Sequence, residues 1–300
     1  MKLKRLVFFL LAFTVLCSAC QSNTTGKTGE TGSTSGDVYY IENKGSDTMV
    51  NLALAWAERY QEIHPDIRVS VTGGGSGTGL AALTNGTVDI ANASRSIKAE
   101  EIALAESEGF TPFEQVVARD AIAVIVNPNN PVNELTIEQI SKIYLGEITN
   151  WQEVGGEDRP IVLLSRETNS GTHVYFLETV VRQGDAEDKS IFSASTLLLP
   201  SSEGIIAEVR DNPNAIGYDG LGYVIPEVKT IGIAKKAGDP YVQASVETVT
   251  DGSYPIARDL YMYFHNEPEG IYKDYLDWIL SAEAQQIVSE LGFVPILTSQ

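Results

Sequence analysis

Beyond residue 20 this chain has no cysteine. Its only two, Cys17 and Cys20, lie in the amino-terminal segment. The folded body can therefore hold no internal disulfide and no thiolate metal centre. Histidine is nearly as scarce: His64, His173 and His265 are far apart in the chain and lack the spacing of a metal site. Basic charge is thin as well. Lys and Arg number 21 against 40 Asp and Glu, giving a net charge of -19. That argues against a nucleic-acid partner, which calls for a basic stripe. It also means that any bound anion must be held by local groups rather than by the global field. The carboxylates are scattered as solvated faces, and no Gly-x-Ser-x-Gly elbow is present. Ser170 and His173 are close in sequence, but at a helix start rather than in such an elbow. Nothing reads as catalytic, and no metal or cofactor is implied.

What is present begins with an export signal. Lys2, Lys4 and Arg5 precede an apolar run, Leu6 to Leu16, that is too short to span a bilayer comfortably. Cys17-Ser18-Ala19-Cys20 follows and resembles a bacterial lipobox, with Cys17 where Leu is usual. In that reading residues 1–20 are a signal peptide with lipobox, and Cys20 is lipidated and anchors the chain to a cell membrane. A plain signal peptide cut nearby is the alternative. Residues 21–37 are Ser, Thr, Gly and Asn with almost nothing apolar, the composition of a flexible linker. The body that follows is expected outside the cytoplasm and close to a membrane.

That body, 300 residues less its leader, is long enough for two domains' worth of core. Strand-like runs alternate with helical spacing, which predicts an α/β body with mainly parallel pairing. Strands are expected at Val38–Ile41, Ile67–Val71, Val88–Ala91, Ile161–Leu164 and Ala215–Tyr218. Helices are expected over Met49–His64, Leu80 to about Thr84, Ala99–Ser107, Thr136–Tyr144, Gly204–Val209, Gly270–Leu280 and Ala282–Leu291, with another opening near His173. Two apolar runs carry the same polar break, Ala118-Arg119-Asp120 and Ala257-Arg258-Asp259. A chain that passes twice between two lobes would have such long strands. The passes would leave residues 38–119 plus 257–300 in one lobe and 120–256 in the other.

Four polar motifs share one grammar. Ser46-Asp47-Thr48, Gly75-Ser76-Gly77-Thr78, Ser94-Arg95 and Ser170-Gly171-Thr172 each follow an apolar strand and open a helix. Helix starts offer unpaired N–H groups and partial positive charge, glycine allows close backbone approach, and hydroxyls can cap the helix or donate to an anion. Converged, such ends make an oxyanion site without a metal. Arg95 and Arg166 supply guanidinium forks that match a tetrahedral oxyanion. The glycine stretch Val71 to Leu80 has no lysine after its glycines, so it suits a small anion better than a nucleotide.

With these motifs, Gly146-Glu147-Ile148-Thr149-Asn150-Trp151 and Asn214-Ala215-Ile216-Gly217-Tyr218 complete a recognisable order, and residues 38–300 resemble the PstS family, the phosphate-binding proteins of bacterial ABC importers. The resemblance implies a type II periplasmic-binding-protein fold: two α/β lobes joined by two hinge strands that close on inorganic phosphate. It implies binding by Asp47, Thr48, Ser76, Arg166, Ser170, Gly171 and Thr172, to which the motif reading adds Ser94 and Arg95. It implies a monomer that performs no chemistry and delivers phosphate to ABC transporter permease subunits. Arg95 falls where many relatives place an aspartate, so Asp47 becomes the candidate acceptor for the phosphate proton, unless it merely caps the next helix. Receptors for sulfate or molybdate, and a phosphoester hydrolase, are the alternatives.

Overall fold

A computed structural model describes residues 38–296. The expected leader, lipobox and linker lie outside the described residues. The chain enters on β1 (Tyr39–Gly45), turns through a 3-10 stretch at Asp47–Met49, and continues into α1 (Val50–Ile63). Leu52, Ala53, Trp56, Ala57 and Tyr60 are buried on one face of α1, the spacing of an amphipathic helix. β2 (Ile67–Thr72), α2 (Ser76–Thr84), β3 (Ile90–Ala93) and α3 (Ala99–Ser107) complete this first run. β4 (Phe113–Val126) then leads to β5 (Glu134–Thr136), α4 (Ile137–Leu145), β6 (Val162–Arg166), α5 (Gly171–Phe176), β7 (Leu197–Leu199), α6 (Ser202–Asp211) and β8 (Ala215–Gly220). β9 (Lys229–Thr230), β10 (Gly232–Ala234) and α7 (Val246–Thr250) precede β11 (Ala257–Phe264), α8 (Gly270–Ile279) and α9 (Ala282–Glu290).

The strands lie in the order β2-β1-β3-β11-β4-β8-β6-β7, with β9 on β4, and β5 pairs separately with β10. Pairing is parallel among β1, β2 and β3 and among β6, β7 and β8's β6 edge, as βαβ connections require. It turns antiparallel wherever β4 or β11 takes part. β4 is the strand that changes sides. Its residues 113–121 pair with β11, and 122–126 pair with β8. On one side of this pair lie β1–β3, and on the other β5–β10, so the molecule is a two-lobed α/β fold joined by two strands.

Several boundaries differ from the sequence reading. β1 runs on through Asn43 and Lys44 to Gly45, because it is held between β2 and β3 and backbone pairing tolerates polar side chains there. α2 starts at Ser76, inside the glycine stretch, rather than at Leu80. Glycine at Gly75 allows this early start: its φ is +89°, and a Cβ there would lie 2.8 Å from the Asn169 carbonyl oxygen. Thr136 caps α4 as expected, its side chain accepting from the Gln139 N–H.

Candidate functional site

The four helix-opening motifs come together between the lobes. Ser46 Oγ donates to Ser94 Oγ at 2.8 Å, and Ser76 Oγ lies 3.4 Å from Ser94 Oγ while accepting from the Ser94 N–H at 3.1 Å. Across the gap, Thr48 Oγ1 and Thr172 Oγ1 are 2.8 Å apart. Ser46, Thr48, Ser76, Ser94, Ser170 and Thr172 are all buried. Gly171 explains how so many hydroxyls fit. A Cβ on it would sit 2.3 Å from Ser76 Oγ and 2.6 Å from Ser94 Oγ, so any side chain would collide with the hydroxyl cluster. Ser170 precedes α5 as its N-cap residue, but its side chain does not cap the helix.

Backbone contacts hold the two lobes against each other here. The Gly77 N–H donates to the Asn169 carbonyl, and Asn169 Nδ2 donates to the Gly74 carbonyl at 2.8 Å and to Thr78 Oγ1 at 3.3 Å. Thr78 lies inside the first turn of α2 and meets Asn169 of the opposite lobe.

Asp47 does not cap. Its Oδ1 accepts from the Gly74 N–H at 3.0 Å, and its Oδ2 accepts from Arg166 Nη2 at 2.8 Å. One carboxylate thus ties the glycine loop of one lobe to the arginine of the other. Arg166 is fully buried and also donates to Ser202 Oγ and to the Pro200 carbonyl, with Asp219 3.6 Å away. Arg95 behaves differently. Its two Nη atoms form a fork on Glu101 at 2.7 and 2.8 Å, and Nη1 also donates to the Ser96 carbonyl. None of these bonds reaches the hydroxyl cluster. Burial tends to raise the Glu101 carboxyl, but Arg95 outweighs it and holds the group below its ordinary value.

The sequence reading missed a second buried cation. Arg258, on β11, donates through Nη1 to Thr172 Oγ1 and to the Ser94 carbonyl, each at 3.0 Å, and through Nη2 to Thr48 Oγ1 at 3.3 Å. Nε and Nη2 also bind Asp120 of β4, the latter at 2.8 Å. The signal was the polar break in each long strand, which marked the lobe connection but not a place in the site. Asp120, Asp219 and Ser202, all fully buried, were missed too. Burial pushes both aspartates above their ordinary range, while Arg258 pulls Asp120 down and Arg166 pulls Asp219 down. Beside Arg258 opens a pocket of about 350 Å³ that Arg95, Arg119, Tyr175 and Tyr261 also line.

His173 is not poised to activate Ser170. Its Nδ1 lies 2.9 Å from the Arg166 carbonyl and 3.0 Å from Ser165 Oγ. A carbonyl only accepts, so Nδ1 carries the proton, and the bonds of this ring join it to Ser165 and Arg166 rather than to Ser170. Burial lowers the pKa of this imidazole. Among the described residues, no group of His, Cys, Asp and Glu could hold a metal ion, and no helix is long and apolar enough to cross a membrane.

Residues 23–283 match the PBP superfamily domain. The phosphate-binding protein PstS of Pseudomonas aeruginosa is 32% identical over 273 residues, covering 85% of this chain and 83% of that protein. PstS of Bacillus subtilis is 31% identical over 305 residues, covering 99% and 95%. Among solved structures, a protein from Clostridium perfringens described as a phosphate ABC transporter substrate-binding protein with bound phosphate superposes with a TM-score of 0.77. It is 33% identical, and the match covers 86% of this chain and all of that one. The chain belongs to the PstS family of phosphate-binding proteins within the PBP superfamily.

Proposed function

We propose that this protein captures inorganic phosphate between its two lobes and delivers it to the permease of an ABC importer. The observation that carries this is the cluster of buried hydroxyls from four motifs, with Ser76 and Ser94 against Gly171, Arg258 bonded to Thr48 and Thr172, and Arg166 joined to Asp47. Such an enclosure offers hydrogen-bond donors and positive charge to a small tetrahedral oxyanion, and it excludes a larger ligand. Thr48, Ser76, Ser94, Ser170, Gly171 and Thr172 serve as its contacts, Arg166 as its principal charge, and Asp47 as acceptor for the proton that phosphate keeps near neutral pH and sulfate lacks. Asp47 already touches both lobes, so it is available only when they meet. Arg95 has its fork on Glu101 and serves to brace the turn after Ser94.

Capture is a shift between open and closed arrangements, because only the closed one offers contacts from both lobes. The lobes divide at residues 119/120 and 256/257. The protein acts as a monomer without enzymatic turnover: the hydrogen bonds of His173 go to Ser165 and the Arg166 carbonyl rather than to Ser170. A lipid on Cys20 would keep it outside the cytoplasm, beside its permease. The reading is tested by calorimetric titration of ligand-stripped protein with phosphate, sulfate and molybdate. Phosphate binding with sulfate silent supports it. An Asp47→Asn variant that keeps full preference for phosphate over sulfate would remove the proton-acceptor role.

A further inference from the structure

We propose that Arg258 is a positioning residue of the phosphate site: from the strand joining the lobes, it fixes the hydroxyl protons of Thr48 and Thr172 so that both point at the ligand. The inference rests on the functional reading above and goes beyond its motifs, none of which includes Arg258.

A guanidinium has only donors, whereas a hydroxyl has one proton and two acceptor positions. Where Arg258 meets Thr48 Oγ1 at 3.3 Å and Thr172 Oγ1 at 3.0 Å, both oxygens must accept. Each hydroxyl then has its single proton free to point away from Arg258. The two oxygens lie 2.8 Å apart, so without an anion one proton joins them. An oxyanion seated against Gly171 can take both. A threonine left to itself could instead turn its lone pairs to the anion, which would repel it.

The placement of Arg258 adds a second element. Thr48 and Ser94 belong to one lobe and Thr172 to the other, and the arginine bonds groups of both. Its fork is complete only when the lobes are closed, so hydroxyl orientation and closure are coupled. Asp120 holds the fork from the opposite side through Nε and Nη2, and the Tyr175 ring lies 5.8 Å from the guanidinium carbon. Lysine could not reproduce this. Its ammonium is a point charge without the planar fork that reaches two hydroxyls, a carbonyl and a carboxylate together.

The test is phosphate titration of the full chain, purified in detergent and stripped of ligand. The variants are Arg258→Lys, Thr172→Val, their combination, and Arg258→Gln with Asp120→Asn, which removes both charges of the buried pair at once. The thermal midpoint without ligand identifies a variant that fails to fold. Arg258→Lys is expected to bind phosphate about thirtyfold more weakly with its midpoint kept. Thr172→Val is expected to cost about tenfold in the wild-type background and less than about threefold beside Arg258→Lys, because the valine removes a hydroxyl that is no longer oriented. The paired neutral variant, which keeps its buried surroundings uncharged, should match Arg258→Lys or fall below it. Additive losses, or either arginine variant binding as the wild type does, would overturn the proposal. Wild-type protein that ignores phosphate would instead overturn the functional reading, and this inference with it.

Discussion

Ala-Arg-Asp occurs on both strands that join the lobes, and the two cross-strand pairs its copies form meet opposite fates. In the antiparallel register Arg258 faces Asp120 and Asp259 faces Arg119. The first pair is closed off from solvent, with side chains 1% and 0% exposed, and forms a 2.8 Å bridge. The second is open, at 51% and 38%, and spans 3.2 Å. Successive strand residues point to opposite faces, so a shift of one position sends the same chemistry either to the buried hydroxyl cluster or to water. Ion pairs of the same residue types differ accordingly. Burial makes an ion pair costly to break, whereas solvent makes it almost neutral.

The largest effect should come from removing one partner of the inner pair. Asp120→Asn strands a buried guanidinium and should cost about 3–5 kcal/mol of stability, read from urea unfolding. A loss below about 1 kcal/mol would put the two pairs on the same footing. The next contrast sets Arg166 against Arg95, two arginines that looked alike in sequence. Arg166→Lys should weaken phosphate binding about thirtyfold in a calorimetric titration. Arg95→Lys should change it by less than about threefold, because Arg95 bonds Glu101 six residues on, whereas Arg166 reaches Asp47 across the lobes. Equal losses would return Arg95 to the site.

A smaller effect should appear in pH. Burial depresses the pKa of His173 below its ordinary 6.5. The folded protein therefore binds fewer protons at this group than the unfolded chain in the window just below that value. Its contribution to stability is full above 6.5 and is lost as pH falls through the folded value. Melting at pH 7 and pH 5 should show a fall that is reduced in His173→Gln. An equal fall in both proteins would assign the acid sensitivity elsewhere. The smallest effect belongs to the outer pair: Arg119→Ala should change stability by no more than about 1 kcal/mol.

Much of the fold could be read from periodicity and punctuation. α3 runs from Ala99 to Ser107 as expected, and Thr136 caps α4. The boundaries that moved are those set by partners rather than by local sequence. β1 extends because β2 and β3 flank it, and α2 starts early because the Asn169 carbonyl approaches Gly75. The cluster proposed as the site was legible where several residue types group, as in Ser76-Gly77-Thr78 and Ser170-Gly171-Thr172. Arg258 was not legible as part of it. A single arginine in an apolar strand says nothing about which face it takes, since that depends on the register of β11 against β4. Arg95 is the converse: the pattern that placed it beside Ser94 gave no sign that Glu101, at the start of α3, lies close enough to bind its guanidinium fork.

The most direct measurement is calorimetric titration of the ligand-stripped protein with inorganic phosphate, with sulfate as competitor, near neutral pH. The account predicts tight phosphate binding that excess sulfate does not displace. Equal binding of sulfate, or no binding of either anion, would contradict it.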